Sequence, residues 1–392
     1  MHSKPSNTTK FAAVGGAVAV AFGILLIQEA RPADAPSPWP LQLEMRVPFE
    51  PTAYPSAGRN HLTYELYLTN FSSSPLMLRR VEVLDADDLV AAPIAAFEAS
   101  QLDALVQPIG VQVSADGNGG PHQLAGGATV VVFLWIALDH GAHVPNKLRH
   151  RILTADSAIE GAVIGTHNTE LKVLGPPVTG TNWLADDGPS NDQDNHHRRG
   201  ILVFEGRALI SRRYAIDWQQ NQNGKDFSGD ASDKRSYYAY GKPVLAVADS
   251  TVVTARDDLP DNVPRHNGEF TPAVEMTPDT VFGNYIVLDL GGRQFASYLH
   301  LQPGSVRVKV GDHVRRGQVL AKIGVSGDAR EPHVHFQVQT SSAPLAGEGV
   351  PYLIDHYRVK SADDVWQTRT HELPLDHMLV DFGGVDGSPA AR

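Results

Sequence analysis

Between about Leu41 and Leu174, apolar and polar residues alternate in short runs broken by clusters of turn formers. LTYELYLTN, MLRRVEVLDA and ATVVVFLWIAL are the clearest runs. A period of two puts the apolar residues of each run on one face, which is the signature of half-buried strands. Helical periodicity is nearly absent, so the spacing predicts a β-sandwich-like domain over residues 40–174. Gly175 to Asn195 is rich in Gly, Pro, Asn and Asp and reads as an interdomain linker or a long entry loop. Residues 196–392 then form a second β-rich unit with a C-terminal extension. Ile201–Phe204 and Ala208–Asp217 are predicted to pair as a hairpin about Glu205-Gly206. NYIVLDLGGRQFASYLHL reads as a second hairpin, turning at Gly291-Gly292. In GDHVRRGQVLAKIG, Val, Val, Leu and Ile alternate with polar residues between Gly311, Gly317 and Gly324. EGVPYLIDHYRV and ELPLDHMLVDF supply closing strands, and the expected class is mostly β and antiparallel.

The N-terminus departs from this pattern. Lys4 and Lys10 precede a continuous apolar run from Phe11 to Ile27, and Ala33-Asp34-Ala35 offers a small-x-small site. Residues 1–35 therefore read as a signal peptide or an N-terminal membrane anchor, with the Pro-rich PSPWP segment as a tether. Either outcome predicts an exported protein whose folded part lies outside the cytoplasm.

Composition narrows the chemistry. The 392 residues carry 33 Lys and Arg against 44 Asp and Glu, a formal net charge of −11, which argues against a nucleic-acid partner. No cysteine is present, which excludes disulfides, thiolate zinc sites and cysteine nucleophiles. His, Asp and Glu remain as strong metal ligands. His333-Val334-His335 places two imidazoles on one face of a strand, and His300 lies upstream in the Tyr-x-His-Leu of another apolar run. Three histidines on one sheet suggest metal or acid–base chemistry. The histidines before the linker (His61, His122, His140, His143, His150 and His167) show no ligand spacing and read as structural or surface residues. G-x-S-x-G and H-E-x-x-H are absent; Gly324-Val325-Ser326-Gly327 falls one residue short of the former. Lys322 lies within a strand-like run with no Met beside it, which argues against a lipoyl or biotinyl carrier domain.

YGKPVLAVADSTVV, GNYIVLDLGG, SYLHL, VKVGDHVRRGQVLAKIGVSG and EPHVHFQV, in that order, resemble the LytM/lysostaphin-type zinc metallopeptidases, which cut peptide cross-bridges of peptidoglycan. The resemblance covers roughly Asn195 to Val359. It implies a LytM-type antiparallel sheet, a zinc ion (Zn2+) and a peptidoglycan or other peptide substrate. It implies Asp217 and His335 as metal ligands, with His333 and His300 doing acid–base and oxyanion work. One position departs: four residues before Asp217, where the family's H-x-x-x-D motif has a ligand histidine, stands Arg213. Arginine keeps its proton and has no lone pair for a metal. Two alternatives stay open. In the first, the predicted hairpin brings His197, or its neighbour His196, opposite Tyr214 or Ala215 to supply the third ligand, and the protein is a metalloendopeptidase. In the second, Arg213 pairs with Asp217 on one strand face, the metal is lost, and the domain binds or regulates a cell-envelope partner. The presence of His300, His333 and His335 favours the enzyme. The polar insertion from about Asp257 to Thr280 is expected to form a rim of the cleft.

Overall fold

The structure, a computed structural model, describes residues 40–110, 122–139 and 141–383. The apolar run Phe11–Ile27, the Ala33-Asp34-Ala35 site and His140 lie outside the described residues. Strands dominate. The helix Ala99–Leu105 and the 3-10 turn Lys234–Ser236 are the helical elements among the described residues, and the mostly β class expected above holds.

The alternating runs become two five-stranded sheets. Arg59–Asn70 pairs with Leu43–Arg46 and Thr129–Leu138 in one; Leu76–Asp85 pairs with Lys147–Thr154 in the other. Their facing apolar residues, among them Leu62, Tyr64, Leu66, Val81, Val83 and Ile152, form a closed core. The opposite face of Arg59–Asn70 is also covered: Thr63, Glu65 and Tyr67 are buried. Tyr67, Val131 and Phe133 pack there against Ile210, Ile201 and Ala208 from the second half of the chain. A face that alternation marks as solvent-exposed is thus an internal seam.

An eleven-stranded sheet follows. Its centre runs Trp183–Asp186, Ile216–Gln220, Val334–Gln339, Phe295–Leu301, Asn284–Asp289 and Ser250–Arg256, each antiparallel to the next. Leu353–Lys360 and Leu379–Asp381 extend it on the other side, and Trp366–Glu372 adds a strand that the sequence pattern did not suggest.

Two expectations need correction. Gly175–Asn195 is no free linker, because Trp183–Asp186 sits inside the large sheet between Ile216–Gln220 and Leu379–Asp381. Trp183 is fully buried and its indole N–H donates to Thr179 O at 3.0 Å. Burying a side chain of that size stabilises by about 2–3 kcal/mol, enough to hold a strand in Gly- and Pro-rich surroundings. From Leu41 onward the chain is correspondingly one compact unit. The hairpin about Glu205-Gly206 forms, but it spans only Leu202–Phe204 and Arg207–Leu209. Ser211–Tyr214 is a turn, and the aspartate strand begins at Ile216. His196 and His197 lie in a turn of their own rather than on a strand opposite Tyr214 or Ala215.

Candidate active site

Sheet register builds the centre. Asp217 lies directly opposite His335, and Asp186 directly opposite Asp217, so the three side chains share a face. His335 Nδ1 is 2.8 Å from Asp217 Oδ1. His333, one residue before the same strand, brings its Nε2 to 3.5 Å from Asp217 Oδ2.

His300 arrives by a bulge. Asn284 pairs with Leu301 and Ile286 with Tyr298, so Leu299 and His300 together oppose the single residue Tyr285. His300 adopts a left-handed φ of +66°, uncommon for a residue with a side chain. The bulge aims its ring at the cluster, 5.0 Å from the His333 ring and 6.1 Å from that of His335. Tyr298, just before it, packs in the core and hydrogen-bonds Val247 N through its hydroxyl.

His197 completes the group. Its Nε2 lies 3.6 Å from Asp217 Oδ2, and its ring centroid 4.7 Å from that of His335. His196 is close as well: the ligand atoms of His196, His197 and Asp217 all fall within 4.8 Å of one another. His196, however, is half exposed and turns its Nδ1 to Asp187 Oδ2 at 3.1 Å. Arg213 does not pair with Asp217. Its guanidinium points the opposite way, to Glu65 at 2.6 Å and Glu348 at 2.8 Å. The geometry on which the non-catalytic alternative depended is absent: Arg213 is drawn off by two buried carboxylates, and the space before Asp217 is left to His197.

The hydrogen bonds decide which nitrogens carry lone pairs. His197 Nδ1 meets Asp187 O, His333 Nδ1 meets Glu331 O, and His300 Nδ1 meets Ser326 O, each at 2.8 Å. A carbonyl only accepts, so each Nδ1 must donate, and the neutral ring keeps its lone pair on Nε2. His335 is oriented the other way round. Gln339 Nε2 donates to Ser341 O and Ala343 O, so its Oε1 accepts from Gln337 Nε2, which also faces Pro344 O. Gln337 Oε1 then accepts from His335 Nε2 at 2.8 Å, leaving the lone pair on Nδ1. Gln337 and Gln339 are residues the sequence reading passed over. Their signal was available, since His335, Gln337 and Gln339 share one face by alternation.

The consequence is electrostatic. A buried carboxylate is faced by three nitrogens whose other positions are already donating. Lone pair against carboxylate oxygen at 2.8 Å is repulsive without a proton or cation between them. Burial pushes the Asp217 carboxyl up, and His333, His197 and His335 outweigh it only through positive charge on their rings, which then holds the carboxyl well below the usual range. Burial also keeps His197 and His300 well below the ordinary histidine value, which favours the neutral ring. Desolvation, with Asp187 and Asp217 nearby, raises Asp186 to about 6. Two imidazole nitrogens and a carboxylate oxygen, from His197, His335 and Asp217, match the donor types of an open zinc site. The donor set fits the metal.

The group opens into a cavity of about 550 Å³, walled also by Arg212, Arg265, Phe282 and Leu345. Arg265 comes from the insertion, which is tied down by Asn262: its amide donates to Gly327 O and Ala329 O at 2.7 and 3.0 Å. The expected rim is therefore an ordered wall. The histidines of the N-terminal sheets stay away from this cluster; His150, for example, is held by Tyr64 Oη and Ala162 O.

One antiparallel sheet thus presents an Asp–His donor set beside two further histidines. Residues 235–346 match the sequence profile described as Peptidase family M23, and the chain carries an M23 (LytM-type) domain there. His300, His333 and His335 fall inside the matched residues, while His197 and Asp217 precede them. Among curated proteins, the chain is similar to the peptidoglycan DD-endopeptidases ShyC and ShyB of Vibrio cholerae serotype O1. ShyC is 23% identical over 204 residues, 51% of this chain and 41% of that protein. ShyB is 38% identical over 63 residues, 16% of this chain and 14% of that protein. The matches thus span less than half of either relative. Solved structures with similarity include the lysostaphin catalytic domain of Staphylococcus simulans (23% identity, 38% of this chain and 80% of that one, TM-score 0.22). A zinc-containing peptidase of Vibrio cholerae is another (15% identity, 79% and 83%, TM-score 0.22).

Proposed function

We propose that this protein is a zinc metalloendopeptidase that hydrolyses a peptide bond of peptidoglycan. The observation that carries the reading is the buried Asp217 carboxylate with His197 Nε2, His333 Nε2 and His335 Nδ1 converging on it. The M23 match and the peptidoglycan endopeptidase relatives support the substrate class.

His197, Asp217 and His335 would hold the zinc. Zinc in such a set supplies Lewis acidity and lowers the pKa of water toward neutral. The chain's own residues do the rest. Asp187 and Gln337 lock the tautomers of His197 and His335, so that neither ligand has to rearrange before binding. His333, with Nδ1 fixed on Glu331 O, keeps Nε2 free to take the proton of the attacking water and return it to the leaving amine. His300 has the same polarity: Nδ1 donates to Ser326 O, and Nε2 is an acceptor until it gains a proton. The oxyanion role implied by the family resemblance therefore requires His300 to be protonated during the reaction; before that, it orients water.

Export through residues 1–35 belongs to the same proposal, since peptidoglycan lies outside the cytoplasm. Its support is the apolar run Phe11–Ile27 behind Lys4 and Lys10.

The test pairs metal content with digestion of purified sacculi. Wild type should hold one zinc and release muropeptides. His333→Ala should keep the zinc and lose turnover by roughly 10²- to 10⁴-fold, whereas His335→Ala should lose both. Protein that stays metal-free after loading, yet still binds sacculi, would overturn the enzymatic reading.

A further inference from the structure

Arg213 occupies a ligand position without acting as a ligand, and its partners show what it does instead. Glu65 projects from the seam face of Arg59–Asn70 and is buried, as are Arg198 and Arg213. Arg213 holds the Glu65 carboxylate with Nη2 at 2.6 Å and Nε at 3.1 and 3.2 Å, and holds Glu348 Oε2 at 2.8 Å. Arg198 Nη1 also pairs with Glu65 Oε1, while its Nη2 donates to Tyr64 O and Leu134 O at 3.1 and 3.3 Å. Two guanidinium groups thus face two carboxylates, a balanced network with little solvent contact. Such a network is weak evidence for stability, but it specifies position strongly, because each partner left alone would be a buried unpaired charge.

Its position in the chain gives it a function. Arg198 directly follows His197, and Arg213 lies four residues before Asp217. Asn195 Oδ1 accepts from Arg198 N at 2.7 Å, which tightens the turn bearing His197. Arg199 stacks on Phe133 at 4.2 Å, seating the same turn on the N-terminal sheet. One carboxylate from the sandwich therefore grips both segments that supply donors from outside the region matched to the M23 profile.

We propose that Glu65 is a positioning residue for the metal centre: through Arg198 and Arg213 it holds His197 against Asp217. The donor set is then complete only while the N-terminal sheet is docked on the large sheet. Metal affinity becomes a report of that docking, and by linkage the metal strengthens the docking in return. This inference rests on the zinc-site reading above and adds to it where the third ligand comes from and what keeps it there.

The test uses the full chain, stripped with chelator and titrated with zinc against a competing indicator, and with Co²⁺ followed by its visible absorption. Glu65→Gln is expected to fold and to bind zinc roughly 10- to 100-fold more weakly, with a weakened and shifted Co²⁺ band. The double variant Glu65→Gln/Arg198→Met removes one charge of each sign and guards against misfolding of the single variant. Wild-type zinc affinity and an unchanged Co²⁺ spectrum in either folded variant would overturn the proposal. Hydrogen exchange on the wild-type chain is the second readout and needs no variant. Zinc should slow exchange at the amides of Arg198 and Arg199 and along Arg59–Asn70; protection confined to the strands of Asp217 and His335 would overturn the proposal as well. Wild type that takes up neither metal would sink the zinc-site reading itself, a result distinct from a variant that binds normally.

Discussion

Gln337→Met isolates the orientation of one metal ligand from the ligand itself. Gln337 is buried, and its Oε1 accepts the His335 Nε2 proton at 2.8 Å, so that Nδ1 presents a lone pair. Methionine matches the volume and accepts no comparable hydrogen bond. Without metal, His335 has an escape: it can move its proton to Nδ1 and donate to Asp217 Oδ1, 2.8 Å away. The metal-free protein then loses mainly the bond from Gln337 Nε2 to Gln339 Oε1, about 1 kcal/mol. With metal that escape is closed, because Nδ1 is the ligating atom and the Nε2–H must stay buried with no acceptor. An orphaned buried donor costs about 1–3 kcal/mol, and that cost falls on the bound state alone. Zinc affinity should therefore drop roughly 5- to 150-fold, at 1.36 kcal/mol per tenfold. The assay is competitive zinc titration beside chemical denaturation of the stripped protein. Gln337→Met that binds zinc within twofold of wild type would show that the Gln339–Gln337–His335 chain does not set the tautomer.

Three further outcomes are expected. Arg213→Met leaves Glu65 and Glu348 buried beside a single guanidinium, Arg198, and should destabilise the stripped protein by about 3–5 kcal/mol in urea; a loss below about 1 kcal/mol would mean the network is solvated. The stripped protein should weaken in acid, because His150 is held to about 4 by burial, below the ordinary 6.5. Its contribution is fully present above pH 6.5 and lost as pH falls toward 4, about 3 kcal/mol in all. Glu65 is held at about 2 because Arg213 and Arg198 outweigh its burial, and it extends the loss below pH 4.5. The urea midpoint against pH reads both, and His150→Gln should make the 6.5-to-4 segment shallower, with the remaining slope coming from His197 and His300, which burial also holds below the ordinary value. Gly327→Ala should cost about 3 kcal/mol or more, since a Cβ there would sit 2.2 Å from Gly283 N at a φ of +73°. It should also lower turnover further than stability explains, because the neighbouring Ser326 carbonyl orients His300; unchanged melting would contradict the first part.

Much of the centre was legible because strand chemistry is periodic. His333, His335 and Asp217 could be read from alternation and from the resemblance of ordered motifs, and the mostly β class from runs such as ATVVVFLWIAL. What escaped reading depends on contacts between distant segments. Glu65 in LTYELYLTN looks like the wet face of an edge sheet, and nothing local reveals that Arg198 and Arg213 cover it. Trp183 was hidden by its Gly- and Pro-rich flanks, although a lone tryptophan in such a segment is itself a hint of burial. SRRYAIDW looks continuous in sequence, but Arg213 turns to Glu65 and the segment leaves the hairpin as a turn at Ser211–Tyr214. The bulge at Leu299-His300 leaves no mark in the sequence, since it is a property of the pairing with Tyr285. Counting along that hairpin points to His197 for the third ligand position, yet His197 reaches Asp217 from a turn of its own, next to the Arg198–Glu65 contact.

Metal content is the most direct measure of the central claim. Wild type, His197→Ala and His196→Ala, loaded with excess zinc and freed of unbound metal, should retain one, none and one zinc per chain respectively. Retention of a full zinc by His197→Ala, or none by wild type, would contradict a centre built from His197, Asp217 and His335.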